Sequence, residues 1–167
     1  FKGGVGKTTL CVEIAASLVH HHGASVLIID IDPQTNATLS LMSESAWETD
    51  AQTNGTLSDF FESCYSGAPF DLAKALVRSP IPHSGQLKLD LIPSHIELFG
   101  MDLRLATKYG HDNLKAKLFL KKALLAFAHY DYIFIDCPPN LYLATQNGLF
   151  ASDYYVIIAL AEYLSTL

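Results

Sequence analysis

The chain has 167 residues, enough for one domain with a core and too few for two well-formed ones. Hydrophobic residues make up 50% and charged residues 17%, which excludes disorder as the overall class. A formal charge of −6 argues against a nucleic-acid binder of the basic-tail type, while leaving room for a local basic patch.

The glycine-rich opening leads into apolar residues at Leu10, Ile14, Ala15, Leu18 and Val19, which predict a helix over 7–22 stopped by Gly23. A continuous apolar run predicts a strand over 26–31, covered on both faces. Residues 40–54 read as a surface loop or a short helix. Two short helices are expected over 57–65 and 70–77, separated by Gly67 and Pro69, then a proline-containing loop over 79–85. A strand over 87–92 stops at Pro93. Helical periodicity covers 96–109 and 113–129, with Gly110 between them. A strand over 132–135, a helix over 141–150 and a buried strand over 154–160 complete the series. Strands alternating with helices argue for an α/β fold, a doubly wound and mostly parallel sheet with helices on both faces. The opening loop lacks the strand that normally precedes one, and residues 161–167 begin an element that does not finish. A single domain truncated at both ends is therefore expected.

The strongest local signal is Lys2-Gly3-Gly4-Val5-Gly6-Lys7-Thr8-Thr9. It matches the second half of a P-loop, with Gly-Lys-Thr opening a helix. Glycines let the backbone wrap closely with its N–H groups inward, and the helix adds its N-terminal dipole. Gly3, Gly4, Val5, Gly6, Lys7, Thr8 and Thr9 are the expected nucleotide-binding residues. Lys7 is assigned to the β- and γ-phosphates, Thr8 to Mg²⁺ and Thr9 to the α-phosphate. Two further carboxylate sites end apolar strands. Leu27-Ile28-Ile29-Asp30-Ile31-Asp32-Pro33 delivers Asp30 and Asp32 at a strand's carboxyl end, where open α/β sheets bind ligands. Asp30 is expected near the Mg²⁺ shell or as a brace for the loop. Tyr132-Ile133-Phe134-Ile135-Asp136 reads as a Walker B strand, whose Asp136 would hold Mg²⁺ through water.

Three features together resemble the ParA/Soj-type partition ATPases of the ParA/MinD superfamily, and the resemblance covers nearly the whole chain. They are Lys2 ahead of the Gly-Lys-Thr sequence (the "deviant" P-loop), the run Asp30-Ile31-Asp32-Pro33-Gln34-Thr35-Asn36-Ala37-Thr38, and Asp136-Cys137-Pro138-Pro139. Thr35 stands where the family often has glycine. The resemblance implies an ATPase that uses ATP and Mg²⁺ and closes a homodimer around nucleotide. Lys2 would reach across the dimer to the other subunit's phosphates, and Asp32 would orient the attacking water. Asp136-Cys137-Pro138-Pro139 would sense the γ-phosphate. The resemblance further implies that the ATP dimer binds non-specific DNA and that a cargo adaptor protein stimulates hydrolysis. The location would be cytoplasmic and nucleoid-associated in the ATP state, with no membrane partner expected. A MinD-like membrane-cycling ATPase, an amidoligase or synthetase of the same superfamily, and a nucleotide-dependent scaffold with little turnover are the alternatives.

Weaker features read mainly as scaffold. Lys108, Lys115, Lys117, Lys121 and Lys122 hold five of the 11 basic residues, as a solvated face or part of a DNA surface. His20-His21-His22 reads as a polar helix end, and Asp131 as a surface residue. The three cysteines, Cys11, Cys64 and Cys137, suggest a reducing compartment, with neither a disulfide framework nor zinc spacing. Cys137 reads as a small packed side chain. No apolar run approaches the ~20 residues of a membrane span.

Overall fold

The computed structural model describes residues 4–81, 88–110 and 113–159. The chain runs through α1 (Lys7–His22), β1 (Val26–Asp30), α2 (Asn36–Leu41), α3 (Glu44–Asn54), α4 (Leu57–Ser66), β2 (Val77–Arg78) and β3 (Leu89–Ile92). It continues through α5 (Leu98–Tyr109), α6 (Leu114–Lys117), α7 (Phe119–Ala123), β4 (Tyr132–Asp136) and α8 (Leu143–Ala151). The sheet order is β2-β3-β1-β4. β1 pairs in parallel with β3 and β4, and the short β2 pairs antiparallel with β3.

β1 explains the layering. All five of its residues are buried, as expected of a strand covered on both faces. Its side chains alternate between two cores. Leu27, Ile29 and Ile31 join Leu57, Phe61, Leu98, Leu105 and Leu120 on the α4, α5 and α7 side. Val26 and Ile28 join Ala15, Val19, Ala37 and Leu91 on the α1 and α2 side. The mostly parallel sheet therefore carries helices on both faces.

The buried stripe of α1 runs through Ala15 and Val19, with Cys11, Val12 and Leu18 beside it, while Leu10 and Ile14 stay exposed at 39% and 37%. The expected face is rotated by one position. At the end of α1, Gly23 is left-handed, and its N–H reaches Val19 O while Ala24 N reaches Leu18 O.

Of the two readings of residues 40–54 the helix holds, as α3, capped by Ser43. Three expectations need correction. Only Leu72–Ala75 of 70–77 is helical, as one 3₁₀ turn capped by Asp71, and Val77 enters the sheet edge as β2. The helix expected over 113–129 is broken into α6, α7 and a 3₁₀ turn, Leu124–Phe127. The break has a specific cause. In a continuous helix Leu120 N would donate to Ala116 O. Instead Leu120 N donates to Asn147 Oδ1 (3.1 Å), and Asn147 Nδ2 donates to Ala116 O (2.9 Å). One amide from α8 inserts into the ladder and satisfies both freed groups. Finally, residues 154–159 form no strand, and Tyr154, Tyr155, Val156 and Ile157 are 73–90% exposed. β-branched and aromatic composition suits a pleated surface only where another strand offers a ladder. Among the described residues β4 is a sheet edge, and this segment does not pair with it. Parts of the expected loop over 79–85 and strand over 87–92 lie outside the described residues, as do residues 160–167.

Candidate active site

Gly4 and Gly6 have φ of 75° and 86°. Nothing lies within 4 Å of a Cβ at either position, so conformation rather than space calls for glycine there. Gly6 is the N-cap of α1, without a side-chain cap and with no acidic residue in the first turn. The first intrahelical bond is Leu10 N to Gly6 O at 2.9 Å. The N–H groups of Lys7, Thr8 and Thr9 therefore have no intrahelical acceptor. A helix start with free donors and no carboxylate suits an anion. Val5 lies within this turn. Lys2 and Gly3 lie outside the described residues.

The second wall is the carboxyl edge of β1 and β4, where Asp30 and Asp136 are register partners. Thr8 Oγ1 donates to Asp136 Oδ2 at 2.6 Å, joining positions 128 residues apart. A hydroxyl and a carboxylate oxygen side by side are hard donors, a set that fits Mg²⁺. Asp136 is 3% exposed. Burial pushes its carboxyl above the ordinary range; the Thr8 hydrogen bond opposes this, the Asp32 charge adds to it, and Lys7 opposes it. Lys7, Thr8, Asp32 and Asp136 thus converge on one electrostatic neighbourhood. A buried carboxylate held high in this way gains from an added cation.

Asp30 has a different role. Its Oδ1 accepts from Asp32 N (3.0 Å), and its Oδ2 accepts from Thr38 N (2.9 Å) and Thr38 Oγ1 (2.8 Å). Both oxygens are committed to the protein, which fits a brace for the loop rather than a metal ligand. Burial raises its carboxyl to about 7, against the lowering effect of the Thr38 hydrogen bonds. Asp32, 7% exposed, closes a turn by accepting from Gln34 N at 2.9 Å. Thr35 follows with φ of 56° and is the N-cap of α2. A β-branched residue is strained in that region.

Sequence reasoning missed the supports. Asp102 on α5 is 7% exposed, and its Oδ1 accepts from Ala144 N at 2.7 Å, holding the start of α8. Asn140 Oδ1 accepts from Tyr142 N (3.0 Å) and Thr145 Oγ1 (3.1 Å). Both fix the segment that follows Asp136. The available signal for Asp102 was an acidic residue within the buried stripe of Leu98, Met101 and Leu105. Gly148 also escaped notice. A Cβ there would sit 2.9 Å from Ile31 Cδ1 and 3.3 Å from Cys137 Sγ.

The weaker features separate as well. Arg104 forms a bidentate pair with Glu62 (2.7 and 3.2 Å) and lies 4.3 Å from the Tyr65 ring centroid. Lys108 donates to Tyr65 O. These two belong to the α4–α5 contact, whereas Lys115, Lys121 and Lys122 are exposed. Cys137 packs against the core, and burial pushes its thiol up to about 12. His20, His21 and His22 are exposed at the end of α1, and no metal-ligand cluster occurs among the described residues. No described helix is long and apolar enough to cross a membrane.

The sequence matches the family described as an AAA domain over residues 1–167. It is 39% identical over 163 residues to the sporulation initiation inhibitor protein Soj of Bacillus subtilis, covering 97% of this chain and 56% of Soj. Among solved structures, a plasmid partition protein from Borrelia burgdorferi superposes with a TM-score of 0.75 at 26% identity, over 99% of this chain and 65% of that one. Cobyrinic acid a,c-diamide synthase from Mycobacterium smegmatis, with bound ATP analog and magnesium, gives a TM-score of 0.69 at 30% identity, over 90% and 52%. The chain spans about half the length of the curated relatives it matches. With the glycine loop, the Thr8–Asp136 contact and these similarities in place, the chain belongs to the AAA-domain family as a ParA/Soj-type ATPase domain.

Proposed function

We propose that this domain binds and hydrolyses Mg-ATP as the nucleotide switch of a positioning system for DNA or another cellular cargo. The observation that carries the reading is the Thr8–Asp136 hydrogen bond at 2.6 Å, which joins the phosphate loop to the Walker B strand. The free N–H groups of the α1 start receive the phosphates, and Lys7 neutralises the β- and γ-oxygens. Thr8 and Asp136 would hold Mg²⁺, Asp136 through water, and the ion when bound would offset negative charge on the phosphates. Asp32 accepts a hydrogen bond from the attacking water and orients it. Asp30 takes no part in the metal shell and fixes the Asp32 backbone instead.

The finer parts of the proposal rest on the family. ATP closes a homodimer, and each Lys2 reaches the partner's phosphates, where a cation stabilises charge growing in the transition state. The ATP dimer binds non-specific DNA, and a cargo adaptor protein stimulates hydrolysis and release. The location is cytoplasmic and nucleoid-associated in the ATP state.

ATP turnover by wild type and Asp32→Ala tests the chemistry. Turnover is expected to fall by about 10²–10³-fold with nucleotide binding retained; unchanged turnover would fit a scaffold and sink the switch. Binding of the full-length protein to non-specific duplex with ATP and with ADP, at two salt concentrations, tests the cargo reading. Salt-sensitive binding with ATP alone is expected, and absence of binding in both states removes DNA from the scheme. A second reading, a synthetase acting on a small substrate, is favoured by the likeness to the Mycobacterium smegmatis synthase. It needs room beside the phosphates.

A further inference from the structure

One buried hydroxyl sits at a junction between three segments of the chain. Thr38, on α2, is 0% exposed. It gives both its N–H (2.9 Å) and its Oγ1 hydroxyl (2.8 Å) to the same oxygen of Asp30, Oδ2. The other oxygen, Oδ1, accepts from Asp32 N at 3.0 Å. Thr38 Oγ1 also accepts from Ser94 N, just beyond β3, at 3.1 Å. A backbone N–H can only donate, so the hydroxyl's single proton is committed to Asp30. Ser94 is held in turn, since Trp47 Nε1 donates to Ser94 O at 3.1 Å. Asp32 is fixed through its N by Asp30 and through its Oδ1 by Gln34 N, at 2.9 Å. That leaves Asp32 Oδ2 without a hydrogen bond among the described residues.

We propose that Thr38 is a positioning residue for ATP hydrolysis, a role that rests on the ATPase reading and on Asp32 as the group that orients the water. Its hydroxyl fixes the rotation of the Asp30 carboxylate, and Asp30 thereby sets where Asp32 Oδ2 meets the attacking water. Two donors on one oxygen and a third on the other hold a carboxylate in one orientation. A valine at position 38 keeps the shape and the N–H bond but removes the hydroxyl. Ser94 N then loses its acceptor in a buried setting, and Asp30 Oδ2 keeps one donor. The carboxylate can turn, and Asp32 N follows the oxygen that holds it. A misplacement of about 1 Å in a group that orients a reactant costs up to about 10²-fold in rate. None of these bonds reaches the start of α1, where the phosphates are received, so ATP affinity is spared.

The full-length protein is assayed for single-turnover hydrolysis of Mg-ATP and for equilibrium ATP binding. Thr38→Val should hydrolyse about 10- to 100-fold more slowly, with affinity within about twofold of wild type. Thr38→Ser keeps the hydroxyl and should recover to within about threefold of the wild-type rate. In an Asp32→Ala background, Thr38→Val should slow hydrolysis no further, because nothing is left to position. A full-speed Thr38→Val, no recovery in Thr38→Ser, an equal loss of rate and affinity, or losses that multiply in the double variant would each overturn the proposal. Phe127→Leu, a core truncation near the amino end of β4, controls for general destabilisation. It should lower the thermal melt and keep the wild-type rate, and a slowing that matches Thr38→Val would count against positioning. Should Thr38→Val not fold, Thr38→Cys takes its place; its weak thiol donor should leave it at least about threefold slower than Thr38→Ser, and equal rates would overturn the proposal. Wild type that hydrolyses no ATP overturns the ATPase reading and this role with it. An active wild type beside an equally active Thr38→Val overturns the role of Thr38 alone.

Discussion

The two ends of the β1–β4 pair carry aspartates with opposite fates. At the carboxyl end Asp30 and Asp136 stand side by side in register, buried, and both carboxyls are pushed up, first by burial. At the amino end Asp131 is fully exposed, and its carboxyl is held down by hydrogen bonds from Ser25 N and Oγ, each 2.8 Å. Similar chain positions next to the same strands thus yield a strained acidic edge and a relaxed one. Even within the acidic edge, burial does not distinguish the members; the partners do. Asp30 is bonded by two backbone N–H groups and a hydroxyl. Asp136 accepts the hydroxyl of Thr8, a residue from the phosphate loop.

Paired substitutions would sharpen that contrast, and the largest effects lie at the acidic edge. Asp136→Ala removes one hydroxyl partner together with a buried charge, so stability should change by no more than about 1 kcal/mol. Mg-dependent ATP turnover should fall by about 10²-fold or more. Asp30→Ala strands Asp32 N and Thr38 N in a buried setting and should cost about 3–5 kcal/mol. Denaturant unfolding beside turnover assays separates the two. A destabilised Asp136→Ala with an unaffected Asp30→Ala would reverse the roles.

Smaller effects come from what supports this edge. Gly148 lies under Ile31, Ile135 and Cys137, each next to an aspartate in the chain. Gly148→Val should cost about 2–3 kcal/mol by overpacking. Gly148→Ala should cost less, because Ile31 Cδ1 can turn aside and alanine regains about 1 kcal/mol of helix propensity. Thr35→Gly relieves a β-branched residue at φ 56° and should stabilise by about 0.5–1 kcal/mol. Thermal melts rank all three, and a destabilised Thr35→Gly would mean that its hydroxyl bond to Gln34 O, at 2.8 Å, outweighs the backbone strain.

The legible parts of this molecule are those whose physics is local. Gly-Lys-Thr predicts a turn and a helix start because only glycine enters the left-handed region cheaply, and Gly6 does so. The runs ending in Asp30 and Asp136 are legible because a doubly covered strand is apolar throughout. What escaped depends on contacts distant in sequence. Asn147 breaks a helix 27 positions earlier, with nothing in the 113–129 periodicity to announce it. Asp102 looks like a flaw in an apolar stripe until Ala144 is placed against it. The residues over 154–159 have strand composition, but composition does not supply a neighbouring ladder. Thr38 is one polar residue among several after Pro33 in the sequence, and only the fold turns it toward Asp30 and Ser94.

The smallest expected effect is at the relaxed end, and it serves as the control for the strained one. Asp131 has a folded-state carboxyl below its ordinary value, chiefly because Ser25 N and then Ser25 Oγ donate to it. A depressed carboxyl adds stability above its unfolded-state value and loses it as pH falls through the folded one. Wild type should therefore lose stability slightly faster than Asp131→Asn as pH drops below the ordinary aspartate range. Above that range the variant should be the weaker of the two, since an amide accepts the Ser25 bonds less strongly than a carboxylate. Solvent and salt screen an exposed pair of this kind, so added salt should shrink the difference. Unfolding curves for both proteins from neutral to acid pH provide the measurement. Parallel pH profiles would mean that the Ser25 bonds persist unchanged when Asp131 is protonated. The amino end would then be held by the Asp131 N and Tyr132 N bonds to Ser25 O, at 3.0 and 3.2 Å, rather than by charge.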